Sequence, residues 1–225
     1  MDASIQALQH ALVVSCQAPV TSPLHNPDII AAIAQAAVQR GAVGVRIDSP
    51  DHIRAVRQRV SVPIIGLWKQ TLPGSEVYIT PQFHHAEAVA EAGADIIAVD
   101  ATQRPRLGGE TVPDLVARIH GELGKPVMAD VDTLEAAIAA VEAGADLVGT
   151  TLFGYTAATA SQTPPGFDLL KQLVGLPVPA VCEGGIASPD MARQALSLGA
   201  FSVVVGTAIT GVDALTTAYV AAVAR

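Results

Sequence analysis

The stretch Glu91-Ala92-Gly93-Ala94-Asp95-Ile96-Ile97-Ala98-Val99-Asp100 decides the fold. A helix ending near Glu91 needs a residue that tolerates a left-handed backbone, and Gly93 supplies it. Ile96 to Val99 is then a short, continuous apolar run, the pattern of a strand buried on both faces in a parallel sheet. The run breaks off at a carboxylate, Asp100. The same phrase returns at Glu142-Ala143-Gly144-Ala145-Asp146, and Gly41 and Gly199 occupy matching points, so the motif recurs roughly every fifty residues. Each interval has room for two strand–helix units.

Working outward, eight apolar runs end on polar or small residues: Val13-Val14-Ser15-Cys16-Gln17, Val43-Gly44-Val45-Arg46, Ile64-Ile65-Gly66-Leu67-Trp68-Lys69, Ile96 to Asp100, Val127-Met128-Ala129-Asp130, Leu147-Val148-Gly149-Thr150-Thr151, Val181-Cys182-Glu183-Gly184 and Val203-Val204-Val205-Gly206-Thr207. Helices are expected at 26–40, 49–59, 82–91, 113–123, 133–143, 167–174, 189–198 and 212–224. Asn26-Pro27 and Ser49-Pro50 are capping residues followed by a first-turn proline. The expected fold is α/β, a single-domain TIM (β/α)8 barrel over residues 1–225; an open doubly wound sheet shares this local grammar and is the alternative. In a closed barrel the carboxyl ends of all strands meet at one face, so the terminal polar residues should converge on one pocket. The longest connections, 70–81, 103–112 and 153–165, follow strands and are expected to cover that face.

Half of the chain is hydrophobic, and its net charge of −8 opposes nonspecific binding to nucleic acid or an anionic membrane. No apolar run reaches membrane-spanning length, and the start lacks a basic leader with an apolar stretch, so a cytoplasmic setting is expected. Cys16 and Cys182 are expected as reduced, buried packing residues. The adjacent His84 and His85 diverge on a helix, which excludes the paired ligands of a zinc motif and reads as surface. Walker, dinucleotide-binding and serine-elbow motifs do not occur, so neither metal nor organic cofactor is expected.

Lys69 ends an otherwise apolar strand. At a barrel mouth it should lose water, and Arg46 ending the preceding strand would add a second cation; both effects favour a neutral amine able to act as a base. A snorkelling or anion-binding lysine is the alternative. Glu183, directly before Gly184-Gly185, could transfer a proton, bond a substrate hydroxyl or pair with a neighbouring cation. Asp100 and Asp130 offer two more carboxylates that could orient Lys69, hold substrate hydroxyls or cap the following turns. Gln17, Thr102, Thr150 and Thr151 fit polar positioning roles. Gly184, Gly185, Gly206 and Thr207 lie after strands seven and eight, where barrels often hold phosphate on main-chain amides.

Several segments are more specific than a generic barrel. They are Val14-Ser15-Cys16-Gln17, Ser22-Pro23-Leu24, Arg46-Ile47, Val62-Pro63-Ile64-Ile65-Gly66 leading to Lys69, Arg104-Pro105-Arg106, Gly149-Thr150-Thr151-Leu152, Gly154-Tyr155-Thr156, Cys182-Glu183-Gly184 and Val205 to Thr210. Through them the chain resembles the bacterial N-acetylmannosamine-6-phosphate 2-epimerases over nearly its whole length. The resemblance implies a TIM-type barrel that interconverts N-acetylmannosamine 6-phosphate and N-acetylglucosamine 6-phosphate in sialic-acid or aminosugar catabolism. It puts Lys69 in the role of catalytic lysine and Glu183 in that of active-site glutamate. Gln17, Arg46, Asp130 and Tyr155 match the substrate-contact pattern. Where that pattern commonly has arginines this chain has Gly211 and Gln70, for which Arg104 or Arg106 could compensate.

The expected reaction is removal and return of the C2 proton. A Schiff-base-forming sugar-phosphate lyase and a non-catalytic sugar-phosphate-binding barrel are the alternatives. The expected partner is a phosphorylated N-acetylhexosamine, with no nucleic acid and no membrane. A homodimer is expected through outer helices, of which the segment from Ala214 to Ala224 is strongly apolar.

Overall fold

The computed structural model describes residues 1–224. Eight parallel strands close on themselves in sequence order: β1 Leu12–Cys16, β2 Gly44–Asp48, β3 Ile64–Leu67, β4 Ile96–Asp100, β5 Val127–Asp130, β6 Leu147–Gly149, β7 Ala180–Glu183 and β8 Ser202–Val205, with β8 pairing back to β1. The open-sheet alternative is thereby excluded. A short helix, α1 (Ala3–Gln6), precedes β1. The layer outside the barrel is built from α2 (Pro27–Gln39), α3 (Pro50–Arg57), α4 (Phe83–Glu91), α5 (Val112–Arg118), α6 (Leu134–Glu142), α7 (Phe167–Leu173) and α8 (Pro189–Ser197). The one-turn α9 (Thr207–Thr210) follows β8, and α10 (Val212–Val223) is the last helix described.

Local chemistry sets these boundaries. The Asn26 side chain accepts the N–H groups of Asp28 and Ile29, with Pro27 at the first turn, so α2 starts where the capping pattern predicts. Gly93, at φ +103°, carries the chain out of α4, a conformation strained for any residue with a Cβ. The helix expected at 113–123 divides instead into α5 and a π-helical segment, Ile119–Leu123, which ends at left-handed Gly124.

Strand alternation sorts the side chains into two cores. Outward residues such as Val45, Ile47, Ile97 and Val99 pack under the helices. At Gly66 an added Cβ would stand 2.5 Å from Ala94 Cβ, so the missing side chain is what lets the segment following α4 approach β3. Inward residues Val13, Ile65, Ile96, Ala98, Met128, Leu147, Val181 and Val204 fill the barrel, with Ile5 and Leu8 plugging its amino-terminal end. Burying each large apolar side chain is worth about 1.5–3 kcal/mol.

The same alternation turns Ser15, Arg46, Asp48, Asp100, Asp130 and Glu183 toward the carboxyl end of the interior. Beyond β3, residues 68–70 run on antiparallel to 78–80, through Lys69 opposite Ile79 and bonds from Gln70 N–H to the Tyr78 carbonyl and Thr80 N–H to the Trp68 carbonyl, both 2.9 Å. Both cysteines are buried and unbridged. His84 is exposed, but His85 is buried edge-on against Trp68, which corrects the surface reading of the pair. Helix α10 has no buried residue, and Val212, Leu215, Tyr219, Val220 and Val223 stand exposed along it. Among the described residues no helix is long and apolar enough to cross a membrane.

Candidate active site

Three polar clusters occupy the barrel mouth. In the first, Arg46 of β2 lies across the interior and forks onto Asp130 of β5, at 3.1 Å to Oδ1 and 2.5 Å to Oδ2. Its Nη1 also pairs with Glu183 Oε2 of β7 at 2.8 Å. The Thr151 hydroxyl lies 2.6 Å from Asp130 Oδ1 and 3.3 Å from Glu183 Oε2. Burial works against the Arg46 charge, but Asp130 and Glu183 outweigh it and raise its pKa. Burial pushes the Glu183 carboxyl up to about 7, helped by the Asp130 charge and opposed by Arg46 and Lys69. The Glu183 carboxyl is thereby shifted toward neutrality.

The second cluster holds Lys69, whose ammonium donates to Gln17 Oε1 at 2.6 Å, while Gln17 Nε2 donates to the Ser15 hydroxyl at 3.1 Å. Lys69 thus faces the mouth, close enough to influence Glu183. It is nonetheless exposed, which corrects the expectation of a water-poor amine: the carboxyl face is open to solvent at this position. The expected cationic push from Arg46 is also offset, because two carboxylates surround that guanidinium.

The third cluster is self-contained. Asp100 Oδ1 accepts the Thr102 N–H at 3.1 Å and its hydroxyl at 2.7 Å, and Arg104 Nη2 pairs with Oδ2 at 2.7 Å. Burial raises the Asp100 pKa despite these partners. Asp100 and Asp130 thus orient arginines and not Lys69. Thr150 is fully buried and bonds the Glu183 main chain in both directions, 2.8 Å to the carbonyl and 3.0 Å from the N–H, so its hydroxyl fixes the end of β7.

The turn after β7 sits beside these groups. Gly184 and Gly185 have φ of +96° and +73°, and a Cβ on Gly185 would meet Pro164 Cβ at 2.5 Å. Tyr155 lies next to this turn, its ring carbon Cε2 being 3.7 Å from where a Gly184 Cβ would stand, and it is exposed at the rim. Gly206 and Thr207 open α9 after the adjacent strand β8. Arg104 is committed to Asp100 and Thr102, and Arg106 donates to the Pro81 carbonyl at 2.9 Å, so neither reaches toward this turn. At Gly211 an added Cβ would fall 2.7 Å from the Thr207 carbonyl oxygen, so this backbone has no room for a side chain there.

Two residues at this face escaped the sequence reading. Asp48 lies two residues past Arg46, on the same face of the strand, and accepts the Lys69 N–H. Continuing the period-2 pattern beyond the arginine would have found it. Tyr78 packs against the barrel interior, and its phenol pKa is raised by burial and by the charges of Asp130 and Asp100. Its only signal was an aromatic inside a loop expected to cover the site.

Comparison with known proteins gives a consistent result. Residues 30–225 match the family described as "Putative N-acetylmannosamine-6-phosphate epimerase". A protein of Synechococcus elongatus, named a putative N-acetylmannosamine-6-phosphate 2-epimerase, is 64% identical over 223 residues, covering 97% of this chain and 95% of that protein. One of Cutibacterium acnes bearing the same name is 42% identical over 96% of this chain and 94% of that protein. The solved N-acetylmannosamine-6-phosphate 2-epimerase from Clostridium perfringens superposes with a TM-score of 0.94 at 38% identity, covering 99% of this chain and 97% of that one. A thiamine phosphate pyrophosphorylase from Pyrococcus furiosus, at 18% identity and TM-score 0.63, shares the fold alone.

Proposed function

The chain belongs to the N-acetylmannosamine-6-phosphate epimerase family, and from that premise we propose that it interconverts N-acetylmannosamine 6-phosphate and N-acetylglucosamine 6-phosphate at C2, with Lys69 as the base and Glu183 as its acidic partner. The observation that carries this reading is the pairing, in one mouth, of an amine free of carboxylate hydrogen bonds with a buried carboxyl poised near neutrality.

Inverting C2 means removing a proton beside the C1 carbonyl of the open-chain sugar and returning it to the opposite face. Lys69 takes the C2 proton, and the electron pair moves into a C1–C2 double bond as charge builds on the carbonyl oxygen. Protonated Glu183 hydrogen-bonds or protonates that oxygen, a task suited to a carboxyl whose pKa lies near the working pH. Arg46 is buried against both carboxylates. Its charge acts by holding Glu183 and Asp130 in place. The proton returns either from Lys69, after its flexible stem swings to the other face, or from a Glu183 that has only hydrogen-bonded the oxygen, in which case Lys69 releases its proton to water and Glu183 takes one up before the next turnover.

The amides of the Gly184-Gly185 turn and the start of α9 are suited to the sugar's phosphate, because first-turn N–H groups lack intrahelical acceptors and glycine permits close approach. Tyr155 stands beside that turn, Thr151 beside Glu183 and Gln17 beside Lys69, where each can bond the sugar. The exposed apolar side of α10 supports a homodimer. Nothing in the site's construction favours a Schiff-base lyase over proton transfer.

Proton NMR in deuterated water, with N-acetylmannosamine 6-phosphate and its unphosphorylated analogue, tests the reading. Lys69→Ala should abolish both inversion and C2 deuterium uptake while the circular dichroism of the barrel is retained. Normal exchange in that folded variant would remove Lys69 as the base. Exchange without inversion in Glu183→Gln would assign the return of the proton to Glu183.

A further inference from the structure

We infer that Asp48 is a positioning residue for the epimerisation, its carboxylate holding the backbone of Lys69 in place where the sheet itself no longer can. Strands β2 and β3 pair in parallel through Asp48 opposite Leu67, and the last regular bond of that edge runs from Ser49 N–H to the Leu67 carbonyl at 2.8 Å. At Ser49 the chain takes φ +77° and turns away into α3, so β2 presents no further carbonyl to β3. Lys69 N–H is the next donor on that edge. It meets Asp48 Oδ1 at 2.8 Å. A side-chain oxygen thus extends the ladder by one bond past the end of its own strand.

The opposite edge of the same segment is held by the main chain, through Trp68, Gln70, Tyr78 and Thr80, with the Thr80 hydroxyl accepting Trp68 N–H at 3.1 Å. The carboxylate is therefore one of two clamps that fix where the lysine stem begins. The stem itself is exposed, so the amine is aimed by backbone placement at its base and by Gln17 at its tip, and not by packing. Asp48 is suited to this duty. It is half-buried, its carboxyl pKa is raised by burial while Lys69, His52 and His25 pull it back, and His52 Nδ1 lies 3.1 Å from its carbonyl.

The inference rests on Lys69 being the base, and the experiment separates the two. Full-length Asp48→Ala, Asp48→Asn and Lys69→Ala are compared by NMR time courses in deuterated water, alongside thermal melts. Asp48→Ala should lower kcat roughly 10- to 100-fold with KM held within about threefold, since displacing a reacting group by about an ångström costs on that order. Asp48→Asn, which keeps an acceptor oxygen at the same reach, should recover most of that turnover. If the alanine variant does not fold, Asp48→Ser, too short to reach the Lys69 N–H, takes its place with the same expected loss. A kcat within twofold of the parent in a folded Ala or Ser variant overturns the inference. Equal impairment in Asp48→Asn also overturns it, because charge rather than the acceptor would then be at work. Retained exchange in Lys69→Ala would instead sink the assignment of the base, and the Asp48 role with it.

Discussion

Replacing Arg46 by methionine removes the charge at the centre of the mouth while keeping most of the stem's volume. Three contacts disappear, at 2.5 and 3.1 Å to Asp130 and at 2.8 Å to Glu183. The two carboxylates left behind have side chains only 0% and 12% exposed, so water cannot replace the guanidinium. Removing one partner of a buried ion pair costs about 3–5 kcal/mol. In a chain of this size each kcal/mol moves the melting midpoint by roughly 2–4 °C, so Arg46→Met should melt about 6–20 °C below the parent near pH 8.

The deficit must also depend on pH. Burial already raises Glu183 from 4.5 to about 7, and losing Arg46 removes the charge that opposes the rise. A carboxyl raised in the folded state keeps a proton that the unfolded chain gives up. Its burden on stability is therefore absent below the unfolded pKa and grows as pH climbs from there through the folded value. The deficit should be smaller near pH 5 than near pH 8, and adding Glu183→Gln to Arg46→Met should recover part of the loss at the higher pH. Calorimetric or circular-dichroism melts at the two pH values read both effects. A midpoint within 2 °C of the parent at pH 8, or a deficit no larger there than at pH 5, refutes the reasoning.

Gly185→Ala places a Cβ 2.5 Å from Pro164 Cβ on a backbone at φ +73°, so the turn must shift. KM for the phosphorylated sugar should rise about tenfold, roughly 1.4 kcal/mol, in the NMR time course; an unchanged KM in a folded variant would take the phosphate away from this turn. Tyr219→Asp sets a charge on the exposed side of α10, where Tyr219 is 74% exposed. Sedimentation velocity should then show a monomer where the parent is a dimer, and identical sedimentation of the two proteins would count against α10 as the interface.

Much of this architecture is legible in the chain because strand period and helix punctuation are local signals. Ile96 to Asp100 reads as a strand from its own residues, and Gly93, Gly144 and Gly199 each stand at a left-handed exit from a helix. The convergence of Arg46, Asp130, Glu183 and Thr151 was also foreseeable, since barrel closure carries strand ends to one face. What each residue does there was less readable. Exposure of Lys69, commitment of Asp100 to Arg104 and neutralisation of Arg46 depend on which partners lie across the barrel, and no local pattern encodes those. Asp48 and Tyr78 were missed because one lies a step beyond a run judged complete, and the other reaches the mouth through a loop that folds back along β3. The α1 plug escaped notice because four residues are too few to show helical periodicity.

That plug has a consequence for isotope experiments. Leu8 fits against Gly44 so closely that a Cβ on the glycine would lie 2.7 Å from its methyl, and Ile5 and Leu8 fill the amino-terminal end alongside it. The barrel is thus closed at that end. Deuterium destined for the reacting carbon must then come from the carboxyl face, where Lys69 is exposed, so the label gained per turnover should record how often the amine meets bulk solvent and not leakage through the barrel floor.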